Sequence, residues 1–170
     1  MSSMNVMATG VSKIKSFLPK GLQPYALSFM FNSRVKLAGT AGVRVEELTA
    51  DRSVVKVANR RRVQNHIGGV HACGMALAAE SATGILMGMN VPDTRLPLCK
   101  SMTVDFKRRA QGGLTAVATL TKEQIAAIKD EEKGEANVQV STNKTKQNSG
   151  DTMLVTTGMS HVVVHTPIAP

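Results

Sequence analysis

Residues 71–89 read HACGMALAAESATGILMGM, and this stretch decides the fold. It is rich in Ala, Leu and Met, and apolar on nearly every side. Such a segment is a buried helix rather than a half-solvated one. Pro92 lies shortly past its end, where a helix has already stopped. The segments around it have a different period. Residues 42–48 and 52–58 alternate apolar and polar, with turn residues Thr49 to Asp51 between them, so two paired strands are expected. Downstream, Ser101 to Phe106, Leu114 to Leu120, Ala136 to Ser141 and Met153 to Val164 alternate likewise. Thr121 with Gln124 forms a capping box that opens a short helix through Ile125 and Ile128, closed by Gly134. The polar stretch 143–151, with Ser149 and Gly150, reads as a hairpin connection. A short helix is expected from Pro24 to Phe31. One apolar helix among about six amphipathic strands gives an α+β architecture: a curved antiparallel sheet wrapped around that helix.

At 170 residues the chain fits one domain and can bury a core without disulfide staples. The cysteines, Cys73 and Cys99, have no metal-ligand spacing. Cys73 reads as core, and no metal is assigned. His161 and His165 stand about 13 Å apart along a strand, a poor metal pair. No run approaches the eighteen apolar residues of a membrane span. The formal charge of +9 invites a nucleic-acid reading, but the chain has no Trp, one Tyr and four Phe. That is too few for a stacking platform on single strands.

The charge is unevenly placed. Lys13, Lys15, Lys20, Arg34, Lys36 and Arg44 precede the first carboxylate, Glu46, whereas residues 46–170 carry a net charge of only +3. An acid-free, Ser-containing, amphipathic N-terminus is similar to an organelle transit peptide. The reading preferred here is an amphipathic entry helix with its aromatics on the core. Residues 1–33 are thus an N-terminal segment and 34–170 one domain. Both a cytoplasmic and a mitochondrial location stay open.

Chemistry centres on Glu80, the only ionisable acid or base between His71 and Asp93. A carboxylate inside an apolar helix costs several kcal/mol unless paired or protonated, and burial raises its pKa. Ala76 and Gly84, at i−4 and i+4, leave space beside it and no cation one turn away. From these residues alone, a functional and a structural acid are both open. The preceding loop, Asn65 to Val70, carries Gly68 and Gly69, which let backbone approach a ligand. The helix start at Ala72 offers free N–H groups suited to an oxyanion. Asn65 adds a side-chain donor or orients water; ordinary turn chemistry explains Asn65 and the glycines equally well.

The run Asn65-His66-Ile67-Gly68-Gly69-Val70-His71-Ala72, with Glu80 nine positions after His71, resembles the hotdog-fold acyl-coenzyme A thioesterases. It is most similar to the phenylacetate-pathway and 4-hydroxybenzoyl-CoA types. The stretch from about Phe31 to Met89 also resembles an uncharacterised branch of that superfamily, a domain of unknown function. The element order extends the resemblance over residues 20–165. The resemblance implies that Glu80 is the base or nucleophile and that the Ala72 N–H polarises the thioester carbonyl. It implies that Asn65 positions water or substrate, with His71 and Gly69 completing the helix start. Three departures matter. The helix opens His-Ala where many members have His-Gly. Gly84 stands where some carry Ser or Thr, with Thr83 and Ser81 adjacent. Ser101 or Thr103 could replace a Ser that others take from the next strand.

Ala72 and Glu80 lie eight residues apart, about 12 Å along one helix. Both cannot reach one carbonyl, so two chains would share each site, as a two-fold dimer or a dimer of dimers. Arg60-Arg61-Arg62 and Lys107-Arg108-Arg109 could meet the phosphates of coenzyme A; a solvated basic edge explains each triplet as well. No cofactor is expected beyond coenzyme A as part of the substrate. An acyl pocket here would be lined by Met, Leu, Val and Ala. The alternative function is a non-catalytic hotdog module binding acyl groups, which has no need of a lone buried carboxylate. A hotdog dehydratase or hydratase would need a His followed by Pro-rich sequence, which is absent.

Overall fold

A computed structural model describes residues 5–104, 106, 112–130, 135–144 and 155–165. In chain order the elements are α1 (Val6–Phe17), α2 (Gln23–Arg34), α3 (Lys36–Ala41), β1 (Arg44–Leu48), β2 (Arg52–Val57), a 3-10 turn (Arg61–Val63), α4 (Ala72–Asn90), β3 (Leu96–Ser101), β4 (Leu114–Thr119), α5 (Lys122–Asp130), β5 (Glu135–Lys144) and β6 (Val155–His165). The strands form one curved, unclosed antiparallel sheet in the order β1-β2-β4-β5-β6-β3, and α4 lies against β2 and β4. The expected α+β hotdog architecture is the one observed.

The period of two places the core. Ser53, Val55 and Val57 of β2 and Leu114, Ala116 and Ala118 of β4 are all buried, and face α4 through Ala78, Ala82, Ile85 and Leu86. Burying each of these larger aliphatic side chains contributes roughly 1.5–3 kcal/mol. The buried Ser53 hydroxyl donates to the Ala82 carbonyl at 2.6 Å, which satisfies it. A bulge between Val45 and Glu47 lets Glu46 and Glu47 both stay outside while Val45 and Leu48 are buried. Both halves of the capping box form: Thr121 N–H donates to Gln124 Oε1 (2.8 Å) and Gln124 N–H to Thr121 Oγ1 (3.2 Å). Gly134, its expected terminator, and the 145–154 connection lie outside the described residues.

Three expectations need correction. The third strand is Leu96–Ser101, not Ser101–Phe106. Pro97 argues against a strand, but β3 is an edge, where a missing ladder donor costs nothing. Met102 and Val104 are half-buried outside any strand, and Phe106 is exposed. Second, of the N-terminal aromatics only Phe31 is on the core. Leu27 and Phe31, at i and i+4, face inward, which turns Tyr25 and Phe29 outward; Phe17 is exposed too. Third, Cys73 is exposed in the first turn of α4 rather than packed in the core. By length and composition α4 resembles a membrane span, but eleven of its nineteen residues are buried within the fold, which makes it the core helix.

Both edges of the sheet are treated differently. α2 covers β1: Ser28 Oγ accepts from Val45 N–H (2.9 Å), and Asn32 Nδ2 donates to the Val43 carbonyl (2.8 Å). β3 has no strand beyond it among the described residues, and Leu96, Leu98 and Cys99 are exposed.

Candidate active site at the open face of the core helix

The loop before α4 is stitched by its own polar groups. Asn65 Oδ1 accepts from Ile67 N–H and Gly69 N–H, each at 3.1 Å. Asn65 N–H donates to the Gly69 carbonyl (2.8 Å), and Gly68 N–H to the Asn65 carbonyl (3.1 Å). Gly68 has φ +77°, a left-handed position that excludes most side chains. Asn59 Nδ2 holds the Gly68 carbonyl at 2.9 Å. With the oxygen of Asn65 committed to the loop, its amide hydrogens remain outward, unpaired among the described residues. What the Asn65 side chain has left to offer is therefore its N–H donors. His66, one residue on, is exposed.

His71 N–H donates to the Val63 carbonyl at 2.7 Å, which fixes the entry to α4. The His71 side chain is the N-cap: its Nδ1 accepts from Cys73 N–H at 3.1 Å. Two N–H groups of the first turn, at Ala72 and Gly74, make no hydrogen bond among the described residues, and Gly74 is buried. Ala72 is exposed. Its N–H is a donor at the positive end of a nineteen-residue helix.

Spacing of four carries one row along α4: Ala72, Ala76, Glu80 and Gly84. None of them is fully buried, although most of the helix is. Glu80 lies over Gly84. A Cβ at position 84 would sit 3.4 Å from Glu80 Oε1 and meet no other neighbour within 4 Å. No cation or hydrogen-bond donor among the described residues pairs with the carboxylate. Burial pushes its pKa up.

Thr83 and Ser81 do not share that row. Both are buried, and Thr83 Oγ1 turns back to the Ala79 carbonyl at 3.1 Å. Their hydroxyls thus face the core, which corrects the expectation of Thr83 as a substrate contact. Cys99 of β3 lies within electrostatic range of Glu80: burial raises its thiol pKa, and the Glu80 charge raises it further. The sequence pointed to Ser101 or Thr103 for a partner on this strand. Cys99 was missed because Pro97 disguised β3.

Arg60, Arg61 and Arg62 are exposed at the 3-10 turn and make no ion pair among the described residues. The Arg62 guanidinium covers Gly42, where a Cβ would sit 2.5 Å from Nη2. Lys107, Arg108 and Arg109 lie outside the described residues. A cavity of about 430 Å³ opens at the other end of α4, lined by Ala8, Val11, Lys15, Met89, Asn90 and Lys129 among others, and does not include Glu80.

The fold has clear relatives among solved structures. A protein of unknown function from Pseudomonas aeruginosa, described as a probable thioesterase, superposes with a TM-score of 0.71 at 21% identity, covering 88% of this chain and 97% of its own. A thioesterase from Haemophilus influenzae matches at TM-score 0.60 and 12% identity, over 76% of this chain and 82% of its own. A thioesterase family protein from Silicibacter pomeroyi matches at 0.63 and 16%, over 80% and 93%. At these identities the likeness is one of fold. Comparison with curated protein sequences finds no match. A family profile matches residues 24–159, from the first turn of α2 into β6. By that match the chain belongs to the domain-of-unknown-function family DUF4442.

Proposed function

We propose that this chain is an acyl-coenzyme A thioesterase that works as a two-fold dimer. The observation that carries the reading is Glu80: a half-buried carboxylate, unpaired among the described residues, on an open row of the core helix beside the space at Gly84. A core carboxylate without a partner is costly, and a chemical task accounts for keeping it. The same row begins at Ala72 with an uncommitted N–H, the kind of donor an oxyanion needs.

In the proposed reaction the thioester carbonyl oxygen accepts from Ala72 N–H. Glu80 takes a proton from water, whose oxygen bonds to the carbonyl carbon. The tetrahedral oxyanion is held at the helix start and collapses with cleavage of the carbon–sulfur bond. Coenzyme A leaves as the thiolate and receives the proton from Glu80. Direct attack by the Glu80 carboxylate is the other route to the same products. The amide of Asn65 donates to substrate, with the His71 cap and Gly69 holding the helix start. The exposed Arg60, Arg61 and Arg62 meet the phosphates of coenzyme A, as would Lys107, Arg108 and Arg109.

The separation of about 12 Å between Ala72 and Glu80 assigns donor and acid to different subunits. The β3 edge, with Leu96 and Leu98 exposed, is a surface for the second subunit, since an apolar edge strand invites pairing. The test is a panel of acyl-coenzyme A thioesters with a thiol reporter, run beside Glu80→Gln. Turnover by the wild type and its loss in the variant support the proposal. Turnover surviving in the variant would remove Glu80 from the mechanism. Tight acyl-coenzyme A binding with no turnover by either protein would favour a binding module.

A further inference from the structure

Six large apolar side chains are exposed within the first 37 residues: Val6, Phe17, Leu22, Tyr25, Phe29 and Leu37, with Phe17 at 82% and Phe29 at 77%. Single exposed apolar residues are ordinary; a concentration of them marks a contact surface. Leu22, Tyr25 and Phe29, at i, i+3 and i+7, share one face of α2. Gln23 Nε2 donates to the Lys15 and Leu18 carbonyls, at 3.2 and 3.0 Å, and so ties the Phe17 end of α1 to the start of that face.

The charge of the same layer is one-sided. Lys13, Lys15, Lys20, Arg34 and Lys36 are all exposed, and none makes an ion pair among the described residues. Arg44 is the exception, bonded to Glu46 at 2.9 Å, with its guanidinium 4.6 Å above the Tyr25 ring. No carboxylate occurs before Glu46. Asp93 reaches this layer only at the Val6 N–H, about 17 Å along α1 from Phe17.

We propose that the α1–α3 layer docks on an anionic lipid bilayer surface, with Phe17, Leu22 and Phe29 entering the headgroup boundary and the lysines pairing with lipid charge. Interleaved aromatic and basic side chains suit that boundary, and anionic headgroups supply the counter-charge the layer lacks. A second copy of the same layer would bring five unpaired cations against five, so self-association through this face is disfavoured. The inference does not depend on the thioesterase reading.

Flotation of the full chain with vesicles tests it. Binding to phosphatidylcholine vesicles containing phosphatidylserine should exceed binding to phosphatidylcholine alone by about tenfold or more, and should fall in high salt. The double variant Phe17→Ser/Phe29→Ser should bind about tenfold more weakly. The triple variant Lys13→Glu/Lys15→Glu/Lys20→Glu should lose the preference for anionic vesicles. All five substituted side chains are exposed, and unchanged thermal unfolding verifies the fold of each variant. Free glycerophosphoserine should not compete. No binding to anionic vesicles, equal binding to neutral ones, or full binding by the Phe variant would each overturn the proposal.

Discussion

The two ends of α4 are built from the same small and apolar residues, yet they are finished in opposite ways. At the C-terminal end asparagine side chains take up several of the loose groups. Asn5 Nδ2 donates to the carbonyls of Gly88 (2.8 Å) and Val91, while its Oδ1 caps α1 by accepting from Ala8 N–H (2.7 Å). Asn90 Nδ2 donates to the Ala50 and Leu86 carbonyls at 2.7 and 3.0 Å. Met7 closes over Gly88, where a Cβ would sit 2.7 Å from its Sδ. In the other half, the row from Ala72 to Gly84 is left open, with an N–H and a carboxylate that have no partner among the described residues. Polar groups are thus spent on stability at one end and held in reserve at the other. The difference is one of what packs on the helix, not of what the helix is made from.

That contrast can be broken deliberately. The largest effect is expected from Glu80→Gln, which should lower kcat by about 10²–10⁴-fold, the range for a lost general base. Because burial raises the Glu80 pKa, the acid limb of the wild-type rate profile should lie above the ordinary carboxylate range. The same shift has a stability consequence of defined sign. A carboxyl whose folded pKa is raised contributes most when protonated, and that contribution is lost as pH rises through the folded pKa. Glu80→Gln should therefore unfold at a higher temperature than wild type at neutral pH, with the gap closing as pH falls below the ordinary carboxylate range. An identical gap at every pH would contradict the reading.

Ala72→Pro is a narrower probe. Position 72 is the first of the helix, where Pro is tolerated, and His71 already has the extended ψ of 148° that a following Pro requires. The variant removes one N–H and should lower kcat by about 10²–10³-fold with little change in unfolding temperature. Wild-type kinetics in this variant would remove the oxyanion role. At the finished end, Asn5→Ala should show the reverse pattern. It loses a cap and two carbonyl partners, about 2 kcal/mol by denaturant unfolding, with kcat intact. The smallest effect is expected from Arg60→Ala/Arg61→Ala/Arg62→Ala. It should raise KM for acyl-coenzyme A severalfold without altering kcat, and an unchanged KM would leave the triplet a solvated edge.

Much of this was legible from residues alone, because it follows from periodicity and local chemistry. The apolar run from Ala72 to Asn90 can only be a core helix, and the alternation in Arg52 to Val57 and Leu114 to Thr119 can only be half-buried strands. The Thr121–Gln124 box names its own partners three residues apart. The isolation of Glu80 among alanines and glycines was also plain. The errors fall where the local pattern was indifferent to context. Pro97 is unfavourable in a strand unless that strand is an edge, and only the sheet order makes β3 one. Tyr25 and Phe29 are apolar by type, but the competing Leu27 and Phe31 face won the core.

The sequence by itself determined the element types, the burial of α4 and the acid at its centre, since these depend on neighbours within one or two turns. Only the tertiary structure decided which row of α4 stays open, which strand forms the second edge of the sheet, and that Cys99 lies within electrostatic range of Glu80. Those outcomes depend on how elements far apart in the chain compete for one helix surface. Nothing in a local period records who wins that competition.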